Sequence, residues 1–237
     1  MSRSFILYTD GACKGNPGRG GWGLIVYWLE EKRICEYGAH VEHTTNNRME
    51  LEAVCKGLEL LRSEKGSVVF YLDSTYVIMG VTRHLEKWRR NAWMTSSGTQ
   101  VANKDLWERL NKDLQEYQKH SKIHWEHVLG HAGIPGNERA DKIAQSFADR
   151  EKIILFDGDS RDYAFDLINI PKPDLSKKTI TKQRKKAYVY LSLVDGVLVR
   201  HQTWEDCLHR VRGVSHAKFK KAADEKEVEE ILKLWGI

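Results

Sequence analysis

Three successive apolar stretches, SFILYTD, GWGLIVYWLE and KRICEYGAHVE, read as strands joined by glycine-rich or charge-rich turns. The next stretch, NNRMELEAVCKGLELLRS, changes period. Leu51, Val54, Leu58 and Leu61 recur there at helical spacing and give one apolar face. SVVFYLD is a nearly continuous apolar run, the pattern of a strand buried on both faces. A helical stretch, the strand KIHWEHVLG and the helix NERADKIAQSFADR follow, the last with Ala140, Ile143 and Phe147 inward. The order β-β-β-α-β-α-β-α predicts an α/β fold. Its mixed five-stranded sheet has three antiparallel strands, then parallel strands, with helices on its faces.

The remaining third of the 237 residues has a different texture. Residues 157–174, DGDSRDYAFDLINIPKPD, are acidic and punctuated by proline, and SKKTITKQRKK then carries six basic residues and no acidic one. Together they read as a linker ending in a basic arm. From residue 187 a small α+β unit is expected, with a hairpin around Asp195-Gly196, a helix in WEDCLHRV, a strand in AKFKK and a closing helix in DEKEVEEILKLWG. The expected division is therefore 1–150, 151–186 and 187–237.

No apolar run approaches the ~20 residues a bilayer span requires, and MSRSFILYTD has neither a cationic lead nor a signal-type apolar core. A cytoplasmic protein, monomeric and without a membrane partner, is the expectation. Cys13, Cys35, Cys55 and Cys207 form no C-x-x-C pair, so neither a zinc site nor a disulfide framework is implied. The formal net charge of +5 suits a polyanionic partner without demanding one.

Four acids stand at the starts or ends of elements. Asp10 and Asp73 close two apolar strands, Glu50 enters a long helix, and Asp141 begins the last helix of the first unit. Each has a plainer reading: a turn former, a capping box from Asn47 to Glu50, or a first-turn acid favouring the helix dipole. Those readings leave unexplained why all four lie beside Gly- or Asn-rich loops. If they converge, they repel one another and call for hard divalent ions, Mg²⁺ or Mn²⁺. Two such ions ~4 Å apart activate water and stabilise the leaving oxygen of a phosphodiester. His131, on the Gly-rich loop GHAGIPGN, is placed to move protons near that centre, or is simply a surface histidine. The spacing of His124, His127 and His131 fails as a zinc site, because His124 and His127 point to opposite faces of one strand.

As a set, YTDGACKGNPGRGGWG, TTNNRMELEAV, YLDSTYVIMGV, WRRNAW, DLWERL and GHAGIPGNERADKIA resemble the type 1 ribonuclease H family over residues 4–149. The resemblance implies hydrolysis of the RNA strand of RNA/DNA hybrids with two Mg²⁺ ions, leaving 5′-phosphate and 3′-hydroxyl ends. It places Asp10, Glu50, Asp73 and Asp141 on the metal-binding acids, and His131 on a mobile histidine that helps product leave or shuttles protons. Gly11, Ala12, Cys13, Asn16, Asn46 and Asn47 fall on segments contacting the hybrid's minor groove, where 2′-hydroxyls distinguish RNA from DNA. Thr45 falls on a DNA-phosphate pocket. Trp88, Arg89, Arg90 and Trp93 match a basic protrusion that grips the DNA strand. Thr75 departs from the glutamine of bacterial relatives; its shorter side chain implies that this groove contact is lost or carried by water. For Trp107 and Trp125 core packing is the preferred reading.

The C-terminal stretch, with Thr203, Trp204, Cys207, Val211 and AKFKK, resembles the small hybrid-binding, viroplasmin-like domain. Tyr190, Trp204 and Phe219 would then stack on the nucleic acid, with Lys220 and Lys221 on phosphates; Tyr188 is an alternative to Tyr190. Such a domain would tether the enzyme to a hybrid, or bind duplex RNA. The plainer reading makes Trp204 and Phe219 the core of the small unit. Two rival functions remain: a non-catalytic nucleic-acid binder, and a DNA-cutting enzyme of the transposase, integrase or resolvase type on the same sheet.

Overall fold

The computed structural model describes residues 3–169, 189–222 and 225–237. It divides into two compact units, residues 1–173 and 174–237. The basic arm 176–186 and Tyr188 lie outside the described residues.

The first unit opens with the expected meander, β1 (Arg3–Lys14), β2 (Gly18–Trp28) and β3 (Arg33–Thr44), paired antiparallel in sequence order. Helix α1 (Asn46–Leu60) leads into β4 (Gly66–Leu72), which pairs parallel to β1. The following helical stretch is broken into α2 (Thr75–Met79), a π-helical turn (Gly80–His84), α3 (Leu85–Arg90) and α4 (Lys104–Gln118). Then come β5 (Lys122–His127), parallel to β4, and α5 (Pro135–Asp149).

The strand alternation sorts the core into two layers. Phe5, Leu7, Leu24 and Val26 face α1 and α4, where they meet Leu51, Val54, Leu58, Leu61, Phe70 and Trp107. Tyr8, Ile25 and Tyr27 face α5 and meet Ala140 and Ile143. Trp107 is fully buried and Trp125 stacks on Phe70 at 4.8 Å, so both are core residues.

The sheet has six strands, not five, in the order β5-β4-β1-β2-β3-β6. The sixth, β6 (Asp157–Asp159), lies in the segment read as a linker and pairs antiparallel with Arg33–Cys35 of β3. Ile153, Leu155, Phe156 and Tyr163 pack on the α5-side core, and Leu167 is buried in it. Residues 151–169 are therefore a strap closed onto the first unit.

The second unit has the three-stranded order β8-β7-β9, from β7 (Val189–Val194), β8 (Val197–His201) and β9 (Lys218–Ala222). Asp195 and Gly196 form the two-residue hairpin turn, both with positive φ (51° and 76°), as a type I′ turn requires. Helix α6 (Trp204–Val211) is capped by Thr203, whose hydroxyl accepts from Asp206 N at 3.2 Å. Helix α7 (Glu225–Trp235) sets Val228 and Ile231 against Leu191 and Ala222. Among the described residues, no helix is long and apolar enough to cross a membrane.

Candidate active site

The register of β1 and β4 builds the centre. Tyr8 lies opposite Tyr71, so two residues further on Asp10 comes level with Asp73. Pairing with β4 has stopped by then, because β4 ends at Leu72. Asp10 is thus inside β1 rather than at its end, but at the carboxyl edge of the parallel strands, where open α/β sheets leave a crevice.

Two glycines let helices reach this point. A Cβ on Gly11 would lie 2.1 Å from the Glu50 backbone nitrogen, so only glycine allows α1 to sit against β1 there. Gly23, the partner of Asp10 on β2, plays the same part for α5: a Cβ would lie 2.3 Å from the Ala140 carbonyl oxygen, one residue before Asp141. Gly11 and Gly23 thus let the helices that carry Glu50 and Asp141 approach Asp10.

Asp10, Glu50 and Asp73 each offer an oxygen within 4.8 Å of the others. Asp10 and Glu50 are buried and Asp73 is half-buried. Burial, then the charges of Asp73 and Asp141, push the Asp10 carboxyl up to about 8. Burial, then Asp10 and Asp73, raise Glu50 well above the usual carboxylate range. Asp141 adds to the charge that raises Asp10 but is not one of the three acids whose oxygens meet within 4.8 Å. Its Oδ1 accepts from Gln145 Nε2 at 2.6 Å.

The capping box is not formed. Thr45 is the N-cap of α1 and makes no side-chain capping bond. Glu50 instead accepts from Asn46 Nδ2 at 3.3 Å. Asn46 N donates to Asn16 Oδ1 at 3.1 Å, and Cys13 Sγ donates to the Thr44 carbonyl at 3.3 Å. These bonds tie the GNPG turn to the start of α1 and bring Cys13, Asn16, Thr45 and Asn46 together near the acids, whereas Gly11 and Ala12 are buried, Ala12 against Ala144 and Ala148. Asn47 and Thr75 are exposed, the latter as the first residue of α2.

His131 is exposed on the turn between β5 and α5, with left-handed backbone (φ 55°). The root of that turn touches the acids: a Cβ on Gly130 would lie 2.8 Å from Asp73 Oδ2. Trp88 and Trp93 are half-buried and pack on the core, Trp88 edge-on to Trp107 at 5.2 Å. Arg89 and Arg90 are exposed, and both pair with Glu86, at 2.9 and 2.8 Å.

Two polar residues at the acids escaped the sequence reading. Asn137 is buried, its Nδ2 donates to Asp73 Oδ2 at 3.3 Å, and its Oδ1 has no hydrogen-bond partner among the described residues. His127 Nε2 lies 3.2 Å from the Asp73 carbonyl oxygen. The signal for Asn137 was present: it stands one helical turn before Asp141, as Gln145 stands one turn after.

In the second unit Tyr190, Trp204 and Phe219 form a row, with ring centroids 5.8 and 5.7 Å apart. Trp204 is 38% exposed and Phe219 50%, and neither belongs to the buried core of that unit. The register sets Phe219 and Lys221 on one face of the sheet with Tyr190. Lys220 pairs with Leu191 and therefore lies on the other face.

An all-oxygen set of acids, two held above their normal titration range, with an orphaned amide oxygen beside them, fits a hard divalent cation. A family model described as RNase H matches residues 2–149, a span that contains all four acids and His131. The ribonuclease H of Saccharopolyspora erythraea is 49% identical over 146 residues, 62% of this chain and 91% of its own length. That of Thermosynechococcus vestitus is 40% identical over 157 residues, 65% of this chain and 95% of its own. A crystal structure of a type 1 RNase H with the type 2 active-site motif superposes with a TM-score of 0.56 at 28% identity, covering 68% of this chain and 80% of that one. With the acids, the sheet and these likenesses in agreement, the chain belongs to the ribonuclease H family.

Proposed function

We infer that this ribonuclease H is an endonuclease for the RNA strand of RNA/DNA hybrids, leaving 5′-phosphate and 3′-hydroxyl ends, and that its second unit tethers it to the hybrid. The convergence of Asp10, Glu50 and Asp73 within 4.8 Å carries the reading. With Asp141 they are the residues to hold two Mg²⁺ ions, or Mn²⁺ in their place. When bound, such ions activate the attacking water and stabilise the leaving oxygen. Asn137 orients Asp73, and Asn46 orients Glu50. The surface from Gly11 to Cys13, with Asn16, Asn46, Asn47 and Thr75, is assigned to the minor groove, where contacts to 2′-hydroxyls select RNA. Thr45, with no capping bond to make, is assigned to a DNA-strand phosphate. Arg89 and Arg90 are assigned to phosphates further along, in exchange for Glu86, while Trp88 and Trp93 brace them.

His131 is assigned to proton transfer or product departure. His131→Ala is expected to lower kcat by about 10²-fold, within the range for one proton-transferring group. Steady-state kinetics on a labelled hybrid measure this. A loss as deep as that of Asp10→Asn would make His131 central instead.

The row Tyr190, Trp204 and Phe219, with Lys221 on the same face, supports nucleic-acid stacking by the second unit. Removing residues 174–237 is expected to raise KM for a long hybrid about tenfold or more and to leave kcat unchanged. The cut belongs after residue 173, because 157–169 are part of the first unit. An unchanged KM rejects the tether, and preferential binding of duplex RNA by the full chain would redirect it.

A product map tests the whole reading. Labelled hybrid, duplex RNA and duplex DNA are incubated with Mg²⁺, with Mn²⁺ and with chelator. Metal-dependent cuts in the RNA of the hybrid alone are expected. Equal cutting of duplex DNA would favour the DNA-cutting rival, and binding without cutting the non-catalytic one.

A further inference from the structure

Residues 151–169 lie beyond the span matched by the family model, yet they are fastened to the back of the site at several points. Arg139 Nη2 donates to the Ile154 carbonyl at 2.8 Å. Glu36 accepts from Phe156 N at 3.0 Å and from the Tyr163 hydroxyl at 2.6 Å. The Tyr8 hydroxyl donates to the Leu167 carbonyl at 3.0 Å. The anchors are close in sequence to the machinery: Tyr8 is two residues before Asp10 and Arg139 two before Asp141.

The end of the strap is the informative part. Leu167 is 2% exposed and packs in one cluster with Tyr8, Val128 and Ile134. Val128 and Ile134, themselves buried, are the residues at which the chain leaves and re-enters the core on either side of the His131 turn. Between them Leu129, Gly130, His131, Ala132 and Gly133 are all exposed. This turn, with two glycines and no buried residue of its own, takes its direction from its roots and from one bond, Gly133 N donating to Glu138 Oε1 at 3.0 Å. Leu167 belongs to the same buried cluster as those roots and is tied to Tyr8 within it.

We propose that Leu167 is a positioning residue, through which the strap sets the placement of His131. This rests on the assignment of His131 to the cleavage reaction. Leu167→Ala opens a cavity in the cluster that also holds Val128 and Ile134, and a shift of ~1 Å at a catalytic group is enough to cost up to ~10²-fold in rate.

The test is a double-mutant cycle in the full chain, read as kcat and KM on a labelled hybrid. Leu167→Ala is expected to lower kcat roughly tenfold with KM unchanged, and Leu167→Met to restore it to within about twofold. In the His131→Ala background, Leu167→Ala is expected to change kcat by less than about twofold, because the group it positions is gone. An equal loss in both backgrounds, or an unchanged kcat in Leu167→Ala, overturns the proposal. If Leu167→Ala melts below the assay temperature, Tyr8→Phe, which deletes only the hydroxyl anchor, takes its place. The same non-additive pattern supports the proposal, and additive loss or no loss overturns it. A His131→Ala variant as fast as wild type strikes the assignment of His131 first, and this coupling with it.

Discussion

Asp10→Asn is expected to lower hybrid cleavage at least about 10³-fold while raising the melting temperature of the metal-free protein. Both effects have one cause. Asp10 is buried beside Asp73, Asp141 and Glu50, and burial and like charge push its carboxyl up to about 8. Without a cation the folded state keeps this carboxyl protonated at neutral pH while the unfolded chain ionises it, a cost that the neutral amide does not carry. One pKa unit corresponds to about 1.4 kcal/mol. A relief of roughly 1–3 kcal/mol at neutral pH would raise Tm by roughly 2–10 °C in a chain of this size. The pH dependence has a definite sign. A carboxyl raised in the folded state keeps its proton there up to about 8 and loses it near 4 when unfolded, so its stabilising contribution is complete below about 4 and is lost as pH rises to about 8. Thermal melts of wild type and Asp10→Asn in chelator, from pH 4 to 8, should therefore diverge as pH rises. Saturating Mg²⁺ should close the gap by stabilising the wild type. A variant that cleaves at near wild-type rate, or that melts lower throughout, contradicts this account of the site.

Glu36→Ala is expected to cost about 3–5 kcal/mol of stability, the usual penalty for breaking a buried ion pair from one side. The Glu36 side chain is fully buried and Arg139 is only 13% exposed. Glu36 accepts from Arg139 Nε and Nη2 at 2.7 and 2.6 Å, from the Tyr163 hydroxyl and from Phe156 N. Burial alone would raise its carboxyl, but the hydrogen bonds from Arg139, Tyr163 and Phe156 outweigh it and hold it below the usual range. Burial and the Glu36 charge raise Tyr163, which keeps the phenol a donor. The alanine variant leaves a guanidinium, a phenol and a backbone N–H without their partner. Because the folded carboxyl is depressed, its contribution is present above the unfolded value and is lost as pH falls through the folded one. Urea melts at pH 7 and in acid measure both effects. A loss under about 1 kcal/mol at pH 7 would mean that the strap is held by its apolar contacts alone.

The features legible in the sequence are those written in local period. The β-β-β-α opening, the inward faces of α1 and α5, and the Asp195-Gly196 hairpin each follow from spacing within one element. The convergence of Asp10 with Asp73 follows once two strands are taken as neighbours. The strap was illegible because its composition is that of a linker. What closes it is Glu36, about 120 residues away on β3, and no local pattern shows that a buried carboxylate awaits three donors. The Asn47 cap failed for a different reason. The helix starts two residues earlier, with Thr45 as N-cap, so Glu50 stands past the capping position and accepts from the Asn46 side chain instead. Trp88 and Trp93, assigned to the hybrid by likeness, both pack on the core, Trp88 edge-on to Trp107, a contact between α3 and α4 that no local spacing shows.

The most direct measurement is anomalous scattering from Mn²⁺ diffused into crystals of the protein. Peaks within coordination distance of carboxylate oxygens from Asp10, Glu50, Asp73 and Asp141 are the expected result. Manganese found only elsewhere, with these four side chains turned away from one another, would contradict it.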